Sequence, residues 1–222
     1  MKKILYLVVL VAISLLFVQC ELSNRRDKHE YVDLGLPSGL QWATCNIGAE
    51  TPEEYGDYFA WGEVKPKEIY NWSGYKHGTD SKQLTKYCSK NSYGKNGFVD
   101  RNKVLVPMDD AAIVNWSEEW RMPTFDDIDE LCNECEWEWT TRNGVNGCIV
   151  TGPNGNSIFL PAAGYKEEGE LLNAGERGSY WASSLNDILP SAAFYIDFRS
   201  GGEVLGRSCK RHFGYTIRPV RK

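Results

Sequence analysis

Between residues 62 and 106 the chain keeps no sustained hydrophobic period of either kind. Neither the 3.6-residue repeat of an amphipathic helix nor the alternation of a half-buried strand runs through it, and Gly, Asn, Ser, Tyr and Lys dominate. A chain that gives so much length to irregular backbone needs tight turns and bulky side chains to close a core. Both are present: eight Trp, twelve Tyr and twenty-one Gly occur among 222 residues. This implies many short elements joined by turns, with no bundle of long helices. A loop of this length usually carries function or is mobile.

The flanking sequence supplies the elements. Residues 31–42 alternate apolar and polar around Pro37-Ser38-Gly39, which predicts a β-hairpin. Thr51-Pro52-Glu53-Glu54 has a capping residue, Pro at the first helical position and early acids, the start of a short helix. A second short helix is expected over residues 110–116, capped by Asp109 or Asp110. Thr124-Phe125-Asp126-Asp127 reads as a capping box, followed by Ile128, Leu131, Cys132 and Cys135 at helical spacing. Residues 137–141 and 147–151 alternate like paired strands, the second entering a Gly152-Pro153-Asn154-Gly155 turn. Further strands are expected over 157–161, 180–184, 193–198 and 215–220. The class is α+β: short helices on a mostly antiparallel, loop-rich sheet. There are no repeats or low-complexity tracts, and no linker divides the sequence after Glu30, so residues 30–222 read as one domain.

The first residues read differently. Met1-Lys2-Lys3 is basic, and residues 4–18 are apolar apart from Tyr6 and Ser14. That run is short of the ~20 residues of a membrane span but fits a signal peptide. It ends in Phe17-Val18-Gln19-Cys20, and the composition then turns abruptly polar. A cysteine at this point resembles the lipobox of bacterial lipoproteins, which implies a signal over residues 1–19, acylation of Cys20 and a polar tether over residues 20–29. Ten extended tether residues reach about 33 Å. Removing the signal shifts the formal charge from −5 to −7. An acidic surface argues against a nucleic-acid partner, which requires a basic patch. The expected location is the cell envelope, lipid-anchored, with the outer membrane favoured and the facing side open.

With Cys20 acylated, six cysteines remain, at 45, 88, 132, 135, 148 and 209. Six allow 15 pairings, and sequence does not choose among them. Cys132 and Cys135 form C-x-x-C on a helical pattern, without the βαβ context of a thioredoxin-like motif or the second C-x-x-C of a zinc site. They read as two thiols on one helix face, packed as small hydrophobes.

Several segments together resemble a known superfamily. Trp120-Arg121-Met122-Pro123-Thr124-Phe125 and the helix after it look like the strand-to-helix corner of formylglycine-generating-enzyme domains. The segment from Gly152 to Tyr165, followed by Tyr180-Trp181-Ala182-Ser183-Ser184, is similar to the Fibrobacter succinogenes major paralogous domain, common in exported proteins of Bacteroides-like bacteria. The opening hairpin, Tyr55-Gly56-Asp57-Tyr58-Phe59-Ala60-Trp61-Gly62-Glu63 and Gly214-Tyr215-Thr216-Ile217-Arg218-Pro219-Val220-Arg221 fit the same domain. The resemblance implies a C-type-lectin-like fold in which both termini pair as neighbouring strands beneath a loop-rich upper half.

The superfamily's oxidase uses two cysteines that hold copper(I). The matching stretch here holds one, Cys209; Gly214 stands where a second would fall, and His212 is an alternative ligand. There is no nucleophile elbow, zinc-protease helix, phosphate loop or dinucleotide fingerprint. Asp109-Asp110 and Asp126-Asp127 fall at helix starts, where acids satisfy amide donors. Glu167-Glu168 reads as a solvated turn. Calcium-lectin motifs are absent, with Asn186-Asp187 a poor substitute. No metal, cofactor or catalytic set is nominated. The reading is a non-catalytic recognition lipoprotein for a protein or glycan; a cysteine- or copper-dependent oxidase is the alternative. In relatives of this fold the ligand face comes from the last forty or so residues, which here offer Trp181, Asn186, Tyr195, Arg199, Arg207, Arg211, His212 and Tyr215. Aromatics and Arg dominate interfaces and sugar stacking. Trp181 and Tyr195 lie in strand-like runs and are also candidates for the core, whereas Arg199, Arg207, Arg211 and His212 are expected at the surface.

Overall fold

The computed structural model describes residues 29–202 and 204–222, so the expected signal, Cys20 and the tether up to residue 28 lie outside the described residues. The chain is mixed helix and sheet, mostly antiparallel strands with few helices. β1 (Tyr31–Asp33) and β2 (Gln41–Ala43) form the expected hairpin, closed by a turn in which Gly39 N–H donates to the Leu36 carbonyl at 2.9 Å. At the far end of the chain β11 (Val220–Arg221) pairs with β2, giving the order β1-β2-β11. The first and last described strands therefore flank a common partner.

Two α-helices stand between. α1 (Ala111–Asn115) is capped by Asp110, whose carboxylate accepts from the amides of Ala112 and Ile113. α2 (Phe125–Glu134) starts at the predicted capping box: Thr124 accepts from the Asp127 amide while Asp127 accepts from the Thr124 amide. Its Ile128 and Leu131 are buried and its first turn carries Asp126 and Asp127, as the pattern required.

A meander follows. β3 (Glu136–Arg142), β4 (Val145–Thr151) and β5 (Ser157–Pro161) pair in sequence, with Trp137 opposite Val150 and Val150 opposite Ile158. A small hairpin, β6 (Tyr165–Glu167) with β7 (Glu170–Leu172), leads to the third sheet. That sheet is β8 (Arg177–Leu185), β9 (Ala192–Arg199) and β10 (Val204–Lys210), ordered β10-β9-β8. It separates two cores. Alternation sends Trp181 and Tyr195 to one side, with Trp61, Trp120 and Tyr215. It sends Tyr180, Ile196 and Phe198 to the other, with Trp42, Ile128, Leu131 and Leu160. Gly178 is obligatory here, because a Cβ would sit inside the Phe198 ring.

Two expectations fail. Thr51-Pro52-Glu53-Glu54 forms a turn, not a helix: Glu54 N–H donates to Thr51 carbonyl at 3.2 Å, and Gly56 at φ +71° then reverses the chain. Four residues before such a break are too few to repay nucleation. The strand expected over 215–220 is instead a row of isolated bridges, Phe59 to Tyr215 and Tyr180 to Thr216, before β11. Pro219 supplies no amide to a ladder there. Residues 62–106 are irregular as expected, apart from short 3-10 turns at Trp72–Gly74 and Lys95–Gly97. They are nonetheless packed, with Tyr70, Tyr75, Leu84, Tyr87 and Cys88 buried. The tyrosine hydroxyls reach backbone carbonyls: Tyr70 donates to Tyr58 and Tyr75 to Trp61. Among the described residues no helix is long and apolar enough to cross a membrane.

Candidate functional site: an arginine and aromatic face

The register of β8, β9 and β10 decides what stands together. Arg177 lies opposite Arg199, Ser179 opposite Asp197 and Trp181 opposite Tyr195; across β9, Leu205 faces Asp197 and Arg207 faces Tyr195. With a two-residue side-chain period, all of these share one face of the sheet. Its inner part is core. Trp181 is fully buried, stacked on Tyr215 at 4.4 Å, and its indole donates to the Phe59 carbonyl at 2.8 Å.

The outer part is ionic. Asp197 is 2 % exposed and meets three guanidinium groups: Arg177 Nε at 2.5 Å, Arg207 Nε at 3.0 Å and Arg199 Nη2 at 3.2 Å. Arg177 also donates to the Tyr195 hydroxyl at 2.8 Å, and its Cζ lies 5.9 Å from the centres of both the Tyr165 and Tyr195 rings. A buried carboxylate in this setting positions the arginines and holds their geometry. An open depression of about 460 Å³ lies beside them, lined by Asn173, Glu176, Arg177, Arg199 and Ser200. That is within the size range of small-ligand sites. Half-buried Tyr165 and Phe213, rings 5.7 Å apart, border the face, and Lys210 Nζ lies 5.7 Å from the Phe213 ring.

The residues singled out from sequence separate into four groups. Arg199, which lines this depression, and Arg207, which shares Asp197 with it, reach the surface, with side chains 45 % and 38 % exposed. Asn186 shapes the β8–β9 turn: its Oδ1 accepts from the amides of Ile188 and Leu189, and its Nδ2 donates to Ser208. Trp181, Tyr195 and Tyr215 are core aromatics. Arg211 and His212, expected at the surface, are buried. Arg211 donates to the Lys86 and Tyr87 carbonyls and lies 5.4 Å from the Trp61 and Tyr75 rings. His212 packs edge-on against Trp72 and Phe213, and burial, reinforced by Lys210, pushes it down to about 4. Sequence reasoning missed Arg177, although it is i−4 from Trp181 on a strand and so shares its face. Tyr165 and Phe213 gave no signal, since their hairpin and turn are each only a few residues long.

Cys209 lies under the same face. Its Sγ is 3.0 Å from the Tyr215 hydroxyl, and burial pushes the thiol up to about 12. A thiol so disfavoured as thiolate is a poor nucleophile. All six cysteines at 45, 88, 132, 135, 148 and 209 are free thiols. Among the described residues no group of three or more His, Cys, Asp or Glu is arranged to hold a metal ion.

A second ionic cluster sits in the long loop. Asp109, read from sequence as a possible helix cap, is a buried hub: Lys76 Nζ at 2.8 Å, Lys86 Nζ and the Tyr87 hydroxyl at 2.7 Å all contact its carboxylate. Burial alone would raise its pKa, but the two ammonium groups and the hydroxyl outweigh it and hold Asp109 at about 2. His77 lies 3.8 Å away, with Nε2 2.9 Å from the Gly62 carbonyl, and burial lowers its pKa. The cluster's polar atoms satisfy one another, which suits a pin for the loop. His29, at the end of the expected tether, stacks flat on Trp116 at 3.6 Å. Comparison with models of protein families, with curated proteins and with solved structures found no match to this chain.

Proposed function

We propose that this chain is a non-catalytic recognition lipoprotein of the cell envelope. In this reading residues 1–19 are a signal peptide, Cys20 carries the lipid, and residues 20–29 tether a C-type-lectin-like domain of the paralogous-domain type to the outer membrane. The domain binds a protein or glycan on the β8–β9–β10 face. The observation that carries the reading is the set of three arginines ordered by the buried Asp197, beside an open depression and two half-buried aromatic rings. Ordered guanidinium groups lose little entropy on binding, and together with aromatic planes they suit amphipathic ligands such as sugars or peptide side chains. The acidic balance of the chain is consistent with a partner other than nucleic acid.

The test is a binding screen of the purified mature chain against glycans and envelope proteins. Arg199→Ala with Arg207→Ala should weaken the hits at least tenfold. Because it also removes two of the three guanidinium partners of buried Asp197, Arg199→Lys with Arg207→Lys, which keeps the charge, separates loss of recognition from loss of fold. Unchanged binding would place the ligand elsewhere. The oxidase alternative rests on Cys209, whose thiol is buried against Tyr215. Titration with copper(I) addresses it directly: tight stoichiometric binding abolished by Cys209→Ser would favour the oxidase over the recognition reading.

A further inference from the structure

We propose that Cys132 and Cys135 are a disulfide site that staples the C-terminal end of α2. Cys132 lies in the last helical turn and Cys135 is the residue that ends the helix. Asn133 and Glu134 between them are helical, so the two Cα atoms are separated by three helical steps, about 5 Å from the rise and radius of an α-helix. Disulfides need Cα separations of roughly 4.4–6.8 Å. Both side chains are half-buried and pack against the core cluster that includes Leu131, and residues three apart on a helix are neighbours.

The place is one where a covalent link has something to hold. α2 has no glycine after its last turn, and Cys135 is already extended at φ −109° and ψ 150°. The last turn contains Glu134 and no basic residue, so the helix dipole is opposed at the end it most needs support. β3 begins one residue later, at Glu136. A Cys132–Cys135 bond would fix this helix-to-strand corner, and α2 backs the sheet that carries the arginine face through Phe125, 4.2 Å from Phe194.

The reaction is exchange with a disulfide oxidant. One thiol, as its thiolate, attacks a sulfur of the oxidant and expels the first thiol of that reagent. The other cysteine then attacks the mixed disulfide and expels the second. The protein loses two protons and two electrons, and the oxidant leaves as two thiols. Burial, with Asp129 and Cys135 acting on Cys132 and with Glu130 and Glu134 acting on Cys135, pushes the thiols up to about 12 and about 11. Because the reduced pair gains nothing from ionising, the bond should resist reduction once made.

The experiment uses the mature chain brought to equilibrium in glutathione buffers at mildly alkaline pH, approached from the reduced and from the oxidised side. Cleavage after Arg121 and Arg142 releases one peptide that holds both cysteines and no other. The expected result is that this peptide becomes lighter by two hydrogens and resists alkylation, and that the melting midpoint rises on oxidation. In Cys132→Ser the rise should vanish, with Cys135 carrying a single glutathione. The proposal is overturned if both thiols stay alkylatable in the oxidising buffer, if each takes up glutathione separately, or if either is found joined to Cys45, Cys88, Cys148 or Cys209.

Discussion

Arg218 is fully buried and meets no carboxylate; its guanidinium is satisfied by Asn46 Oδ1 at 2.8 Å and by the carbonyls of Ala43 and Phe159 at 3.1 and 3.0 Å. Those three acceptors belong to β2, the segment just after it and β5, so one side chain joins parts of the chain far apart in sequence. Replacing it by Met would leave three buried acceptors without donors, each worth about 1–3 kcal/mol. Arg218→Met should therefore lose at least about 3 kcal/mol in chemical denaturation, a large part of a normal folding free energy. A milder effect than Arg199→Ala would contradict this assignment. His212 gives a second residue-scale expectation. Its pKa is depressed from 6.5 to about 4, so the folded state prefers the neutral ring. Stability is then fully present above pH 6.5 and falls as pH drops towards 4, by up to about 3 kcal/mol. His212→Phe should remove that decline, measured as unfolding free energy at stepped pH. Neither role was legible from sequence, because a charged side chain near the end of a strand-rich chain reads as solvent-facing. Burial depends on which carbonyls the fold brings within reach.

At the level of elements, legibility followed the strength of the local signal. α2 was readable because Thr124 and Asp127 complete a capping box and Ile128 and Leu131 follow at helical spacing. β5 was readable from its apolar run alone. β10 was not, since Leu205, Gly206, Ser208 and Lys210 are exposed on an edge strand and only pairing with β9 defines it. The Thr51 segment carried a helix-start signal that Gly56 overrode. The long loop is irregular as its sequence suggested, but its aromatics and lysines are tied to Asp109 and to backbone carbonyls, which no local pattern showed. If the Asp109 hub holds the loop, Asp109→Asn should cost about 2 kcal/mol at neutral pH, from a pKa displaced from 3.8 to about 2. The sign follows from the depressed value. The contribution is present above pH 4 and is lost as pH falls through 2, so the wild type should lose stability over that window and the variant should lose less. Acid titration of the unfolding midpoint checks both, and proteolysis within residues 77–100 should accelerate in the variant.

Across the whole molecule, the two large cores meet on opposite faces of β8 and β9, so the sheet behind the arginine face is buried on one side and ionic at its outer end on the other. The last residues complete that arrangement. Tyr215 covers Trp181 and Tyr195, Thr216 bridges Tyr180, Ile217 accepts from the Ile47 amide, and β11 closes the sheet with β2. Of the strand expected over 215–220 only β11 forms, and its pairing with the opening hairpin follows what the resemblance implied; the other contacts were not legible, since each is made to a segment far away in sequence: Phe59, Tyr180 and Arg121. Such a chain cannot finish its core until its end is in place. Contacts of high sequence separation carry the loop-closure entropy of the whole chain. Ending the chain after Ile217 removes Arg218, β11 and the Arg121–Val220 bridge together. The truncated protein should lose its cooperative thermal transition and bind hydrophobic dyes, while Arg221→Ala, which keeps the strand but drops its ion pair to Glu119 at 3.0 Å, should shift the midpoint by only a few degrees. A cooperative melt in the truncated chain would show that the cores close without their last strand.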